Sequence, residues 1–444
     1  MRSLASRLPA RYPVFFDSAV HGPLARYSLL ACAPAAALFR DASGQLGAQG
    51  REVLPGGFLA NLEAWFRAEV TQPAPASPKP FPFAGGWFVY LGYEVAAEIE
   101  PRLRLPAAQA PYSAFALRVD TFAVHDLADG RVYAVSENPG SAAHAQLVAD
   151  LSAARGQPAT AETVELRALD EESAELFLAR VRAAQEHIAA GDLYQANLSR
   201  RWQLQLHDRE SAAKVYEALR QANPAPFAAS VQLPGMAIFS SSPERLMRIE
   251  GREISTRPIA GTRARHGSAE QDLRDTAELV AHPKERAEHI MLIDLERNDL
   301  GRVCEAGSVT VDEYMVTESY AHVHHIVSNV RGRLRAECSP VDALRALFPG
   351  GTITGCPKIR CMQIIAALEG EGRGAYTGSL GWLGVDGDAD FNILIRTLTM
   401  RGDRIELRAG AGIVADSVPE KELEETRAKA RGMLRAFSMA GSGR

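Results

Sequence analysis

Hydrophobic and polar positions divide this chain into helical stripes, short strands and a few unpatterned breaks. The stretch HPKERAEHIMLIDLERNDLGRV (282–303) carries the densest signal. Ala287, Met291 and Leu295 recur every four residues beside the apolar run Ile290-Met291-Leu292-Ile293, which predicts a helix buried on at least one side. Further helices are predicted over 56–70, with Leu59, Leu62, Trp65 and Phe66 on one stripe, and from Ser173 through Leu176, Phe177, Val181, Ala184 and Ile188 to a glycine stop at Gly191. Another starts near Pro419. The segments 194–206, 227–232, 236–240 and 245–256 read as strands, as do two pieces within 1–34 and the start of GGWFVYLGYEVA. Two breaks interrupt the pattern. TQPAPASPKPFPFAGG loses regular structure to its prolines and paired glycines, and ARGQPATAE, near 154–162, is small, polar and aperiodic. The second sets an expected boundary between domains 1–155 and 160–444. Hairpin-like strands with separate helices indicate an α+β fold.

Composition adds exclusions. The 444 residues are 46% hydrophobic and 23% charged, ordinary for an enzyme with a sizeable core. A net charge of −5 argues against nucleic acid or an acidic membrane surface as partner. There is no 18-residue apolar run to span a bilayer, and MRSLASRLPARYP lacks the apolar core of a signal peptide. Five cysteines, odd in number and without CxxC spacing, suit reduced thiols in a cytoplasmic protein.

Candidate chemistry begins with two acidic pairs at i,i+3 spacing. Glu285 and Glu288 project from one face of the 282–303 helix, and Glu422 and Glu425 share a face of the helix near Pro419. Hard cations such as Mg²⁺ take such oxygen donors and keep waters for a substrate to replace. A solvated helix face, or an acidic first turn favoured by the helix dipole, explains either pair alone. FPGGTITGCPK offers backbone N–H groups and hydroxyls for close approach to an anion. Arg396 ends an apolar strand, where a guanidinium suits bidentate carboxylate binding or neutralises a structural acid.

ERAEHIMLIDLERND, PERL, RPIAGTR, HVHHIVSNV, FPGGTITGCPK, ILIRTL and AGAGIVADSVPEKELEET occur in this order. Together they resemble the chorismate-utilising enzymes, which include the component I subunits of anthranilate synthase and aminodeoxychorismate synthase. The resemblance covers roughly Asp170 to the C-terminus closely and the earlier part loosely. It implies a two-lobed sandwich of facing antiparallel sheets with helices outside, the first lobe at 1–155 and the chorismate-binding catalytic domain at 160–444. It also implies Mg²⁺ as cofactor, Glu288 and Glu425 as direct ligands, and Glu285 and Glu422 near the metal or its waters. Glu244 matches the family's general acid. Gln195 stands where the water-using isochorismate synthases place a Lys base, which argues for ammonia as nucleophile. His325 matches a histidine near the ring implicated in pyruvate elimination; a core histidine is the plain alternative. Thr352, Lys358, Tyr376, Arg396, Gly410, Ala411 and Gly412 match substrate-contacting positions. No glutaminase motif is visible, so the resemblance implies a separate glutamine amidotransferase subunit as the ammonia source.

The branch marks diverge. Many aminodeoxychorismate synthases carry a nucleophilic Lys where this chain has Ala260, and anthranilate synthases carry Ala. FFDS, GDLYQANLS, SSSPER and GGTITG instead resemble the aminodeoxychorismate branch. Anthranilate synthases typically have LLES at the first of these, part of a tryptophan feedback site. Four marks against one favour aminodeoxychorismate synthesis, with anthranilate synthesis as the alternative and a non-catalytic, partner-binding relative ranked last.

Overall fold

The structure, a computed structural model, describes residues 1–20, 25–70, 79–156, 164–208, 212–264, 269–319 and 323–440. Most of the expected boundary at 154–162 and the first half of the proline-rich break lie outside them. No helix among the described residues is long and apolar enough to cross a membrane.

Two large antiparallel-rich sheets face each other. The first runs from Phe437–Met439 through Val164–Glu171, Gln195–Leu206, Arg404–Ile413, Thr397–Arg401, Met236–Ser242, Phe227–Leu233, Val14–Asp17, Tyr27–Ala31 and Thr121–Asp126 to Arg131–Ser136. The second runs from Ile259–Ala264 through Val323–Arg333, Glu253–Thr256, Arg245–Glu250, Ala389–Ile393, Ser379–Gly384, Gly86–Leu91, Tyr112–Val119 and Ala36–Asp41 to Leu46–Gln49. Strands from the first 140 residues extend both sheets. Val14–Asp17 pairs with Phe227–Leu233, and Gly86–Leu91 with Ser379–Gly384.

The layer between the sheets is aromatic and aliphatic, including Phe83, Phe88, Phe115, Phe122, Val231, Ile238 and Leu380. Helices cover the outer faces. Phe58–Glu69, Pro283–Gly301 and Pro340–Leu347 pack with the second sheet, and Arg2–Arg7, Ala212–Ala222 and Pro419–Leu434 with the first. The α+β sandwich expected from the resemblance is therefore what forms.

Local signals behave as their chemistry requires. Ser173 caps the helix Ala174–Ala189 by accepting from the Leu176 N–H, and Gly191 adopts φ +78° just past its end. Phe177, Val181 and Ala184 are buried, but Leu176 is exposed. The helix Pro283–Gly301 is buried on one side, as expected, but the stripe faces the core only at Leu295. His289, Leu292, Ile293, Leu295, Glu296 and Leu300 are buried, while Ala287 and Ile290 are exposed. Ala287, Ile290, Met291 and Leu295 also line an outer groove of about 730 Å³. Asp17 ends the strand Val14–Asp17, and its carboxylate accepts from Arg220 at 2.6 Å and the Tyr216 hydroxyl at 3.1 Å.

Candidate active site

Glu244 occupies the short link between strands Met236–Ser242 and Arg245–Glu250, where tight pairing on both sides buries it to 5% exposure. Its Oε1 accepts from the Thr352 hydroxyl at 2.7 Å, presented by the turn Gly351–Ile353. Burial pushes this carboxyl up to about 7, against the smaller opposing pull of the Thr352 hydrogen bond and the Lys429 ammonium. A carboxyl in that range holds a proton to give at neutral pH.

Gln195 opens the strand Gln195–Leu206 and is buried. Its Nε2 donates to Glu288 Oε1 at 3.2 Å, while its Oε1 has no partner. Gly412, on the neighbouring strand, permits this: a Cβ there would lie 2.3 Å from Gln195 Nε2.

The acidic cluster is crowded. Burial raises the Glu288 carboxyl, and Glu285 and Glu425 raise it further by repulsion. Lys429 draws it down; its ammonium bonds Glu425 at 2.7 Å and the Gly410 carbonyl at 2.9 Å. Glu422 is buried one turn before Glu425 on the same helix. The described residues hold no preformed cluster of three or more metal-ligating side chains. Even so, the all-oxygen donors and the mutual repulsion around Glu288 fit a hard divalent cation, and Lys429 already places one positive charge there.

Arg396 lies deep in the protein, in the link between Ala389–Ile393 and Thr397–Arg401, with φ +53°. Its side chain remains partly exposed. It makes no ion pair or side-chain hydrogen bond among the described residues, and burial lowers its proton affinity, although a guanidinium stays charged. A left-handed backbone on an arginine is strained, and such strain concentrates at functional sites. Beside it, Arg396 and burial together hold the His325 pKa down to about 4, so His325 is neutral at pH 7. Its Nδ1 lies 3.3 Å from the Gly261 carbonyl. Ala260 is on the adjoining strand, opposite Ile326. Tyr376 accepts from Asn197 at 3.3 Å and stacks under the Arg373 guanidinium, 5.5 Å from the ring centre.

Electrostatic influence ties these elements into one place. Lys429 acts on Glu244, Glu288 and His325, and Arg396 acts on His325. Of the positions expected from sequence, Lys358 stands apart. Its ammonium bonds Asp299 and the Leu347 carbonyl, and it lines the outer groove. Lys429 was missed because at i+4 from Glu425 it reads as an ordinary helix ion pair. Arg373 and Asn197 carry no local motif at all.

The carboxylates around Glu288, the Lys429 ammonium, the Arg396 guanidinium and the buried acid Glu244 together suit a small anionic substrate. The description "chorismate binding enzyme" matches residues 30–435, and the chain belongs to that family. It is 43% identical to anthranilate synthase component 1 of Streptomyces coelicolor, over 84% of this chain and 76% of that protein. It is 38% identical to aminodeoxychorismate synthase component 1 of Bacillus subtilis, over 97% and 92%. The crystal structure of anthranilate synthase component I from Streptococcus pneumoniae superposes with a TM-score of 0.82 at 30% identity, covering 93% of each chain.

Proposed function

We propose that this enzyme aminates chorismate to 4-amino-4-deoxychorismate, which feeds 4-aminobenzoate and folate synthesis, using ammonia released from glutamine by a partner amidotransferase subunit. The observation that carries amination is the state of Gln195. Its Nε2 is committed to Glu288, and its buried Oε1 has no partner. An amide oxygen accepts an N–H from ammonia but cannot deprotonate water.

Arg396, Lys429 and the backbone of Gly410, Ala411 and Gly412 hold the substrate carboxylates, with Tyr376 against the ring. Glu288 and Glu425, with Glu285 and Glu422 close by, would hold Mg²⁺, which would supply Lewis-acid polarisation of the ring carboxylate. Glu244 protonates the C4 hydroxyl, which leaves as water. The Ala260 methyl cannot form a covalent adduct. Two successive allylic displacements replace that step. Ammonia attacks C2 as the C4–O bond breaks, and a second ammonia attacks C4 and expels the first. The net change is chorismate plus ammonia to aminated product plus water.

Two observations support this branch. The Bacillus subtilis relative matches over nearly the whole of both chains. Asp17, in the segment typical of a feedback site in anthranilate synthases, has its carboxylate engaged by Arg220 and Tyr216. Ala260 favours the second reading, anthranilate formation with loss of pyruvate. A pyruvate-coupled assay separates the two: chorismate and ammonium consumed with Mg²⁺ but without matching pyruvate supports aminodeoxychorismate, and stoichiometric pyruvate supports anthranilate.

Two further outcomes are expected. G412A displaces the Gln195 amide and lowers ammonia-dependent turnover by about 100-fold, because a shift of about 1 Å in a positioning group is enough. Circular dichroism of the variant stays that of the parent. Removing Mg²⁺ with EDTA abolishes turnover, and added Mg²⁺ restores it.

A further inference from the structure

The helix Pro283–Gly301 carries more acid than the chemistry above uses. Glu296 lies two turns beyond Glu288 on the same side of the helix, about 12 Å further along its axis. It is 5% exposed. The neighbouring Thr256 hydroxyl pulls its proton affinity down far less than burial pushes it up. A carboxyl buried this deeply without a dedicated cation is uncommon and calls for an explanation.

Position supplies one. A Cβ on Gly351 would fall 3.5 Å from Glu296 Oε1, so Glu296 lies against the turn Gly351–Ile353. The next residue of that turn, Thr352, bonds Glu244. On its other side, Glu296 is followed at i+3 by Asp299, which pairs with Lys358, and both line the outer groove. The charged groups acting on Glu296 are Asp299 from its own helix, Lys358 from Lys358–Glu369 and Glu244 from the strand link. Carboxyl groups thus lead from the groove rim to the acid in the site.

We propose that Glu296 is a proton relay that reloads Glu244 after each turnover, drawing protons from the outer groove past the Asp299–Lys358 pair. The inference rests on the role given to Glu244 above. When Glu244 gives its proton to the departing hydroxyl, it becomes a buried carboxylate. The Glu296 carboxyl passes a proton to it through one bridging water, and groove water then reprotonates Glu296. The added ammonia gives up one proton to solvent as it becomes the neutral amine, so the cycle balances. Burial, with Asp299 and Glu244 adding repulsion, pushes Glu296 up to about 8, so it holds its proton at neutral pH. Glu296 touches no substrate and acts only through Glu244.

The test is chorismate consumption by the full chain with Mg²⁺ and ammonium, followed across pH in dilute buffer and again with added imidazole. E296Q is expected to keep the chorismate KM within about twofold. Its kcat falls at least about tenfold in dilute buffer and recovers several-fold as imidazolium supplies protons, while wild type does not respond. Wild-type kcat in E296Q at every pH overturns the relay, as does a loss that imidazolium leaves untouched. If E296Q does not fold, E296D carries the same test, since a shortened acid must still respond to imidazolium. Wild-type protein that consumes no chorismate overturns the Glu244 reading itself, a result distinguishable from failure of the relay alone.

Discussion

E244Q lowers chorismate turnover by about 10²–10⁴-fold, the usual worth of a positioned general acid, with little change in KM. Gln preserves the shape and the oxygen that accepts from Thr352, so loss of the proton is the main change. In wild type the Glu244 carboxyl ionises near pH 7. The rate with saturating chorismate therefore falls on the alkaline side of that value, and E244Q loses the limb. The same burial has an opposite effect on stability. The folded carboxyl binds its proton more tightly than the unfolded one, so its ionisation costs stability as pH rises from about 4.5 to 7, by on the order of 1–3 kcal/mol. E244Q is expected to melt higher than wild type at pH 8 and to match it at pH 4. A variant that is inactive yet more stable under alkaline conditions separates a catalytic acid from a structural one.

R396A raises the chorismate KM by about 10²–10³-fold, as expected for truncating one side of a desolvated charge pair, and changes kcat much less. Arg396 is a buried guanidinium without an ion pair among the described residues, so its binding capacity is left for an anion that enters. Lys at this position keeps the charge but loses the planar fork, so R396K falls between the two. Because the free protein gains nothing from the unpaired charge, R396A does not lower the melting temperature. A drop of several degrees would instead assign Arg396 to the scaffold.

Much of this was legible in the sequence, for reasons that can be stated. The strand at Gln195–Leu206, the helix capped by Ser173 and the helix starting at Pro419 follow from local alternation, caps and proline placement, all encoded within a few residues. The long helix was legible but its facing was not. Its buried side includes His289 and Glu296, polar residues that periodicity assigns to solvent, while Ala287 and Met291 border an open groove. Sheet order was out of reach because its decisive pairings are distant, as between Phe16 and Ala229. Within the site, residues with their own motif, such as Glu244 and Gln195, could be named in advance. Lys429 could not, because its role depends on a helix packing that brings it toward Glu244 and His325. Lys358 has a clear motif of its own, and the fold turns its ammonium to Asp299.

The most direct test of the central claim is the mass of the product formed from chorismate, Mg²⁺ and ammonium, with and without an added aminodeoxychorismate lyase. The account predicts a species of chorismate mass less water plus ammonia, converted to 4-aminobenzoate only when the lyase is present. Direct appearance of anthranilate with pyruvate would contradict it and make Ala260 the residue that decides the branch.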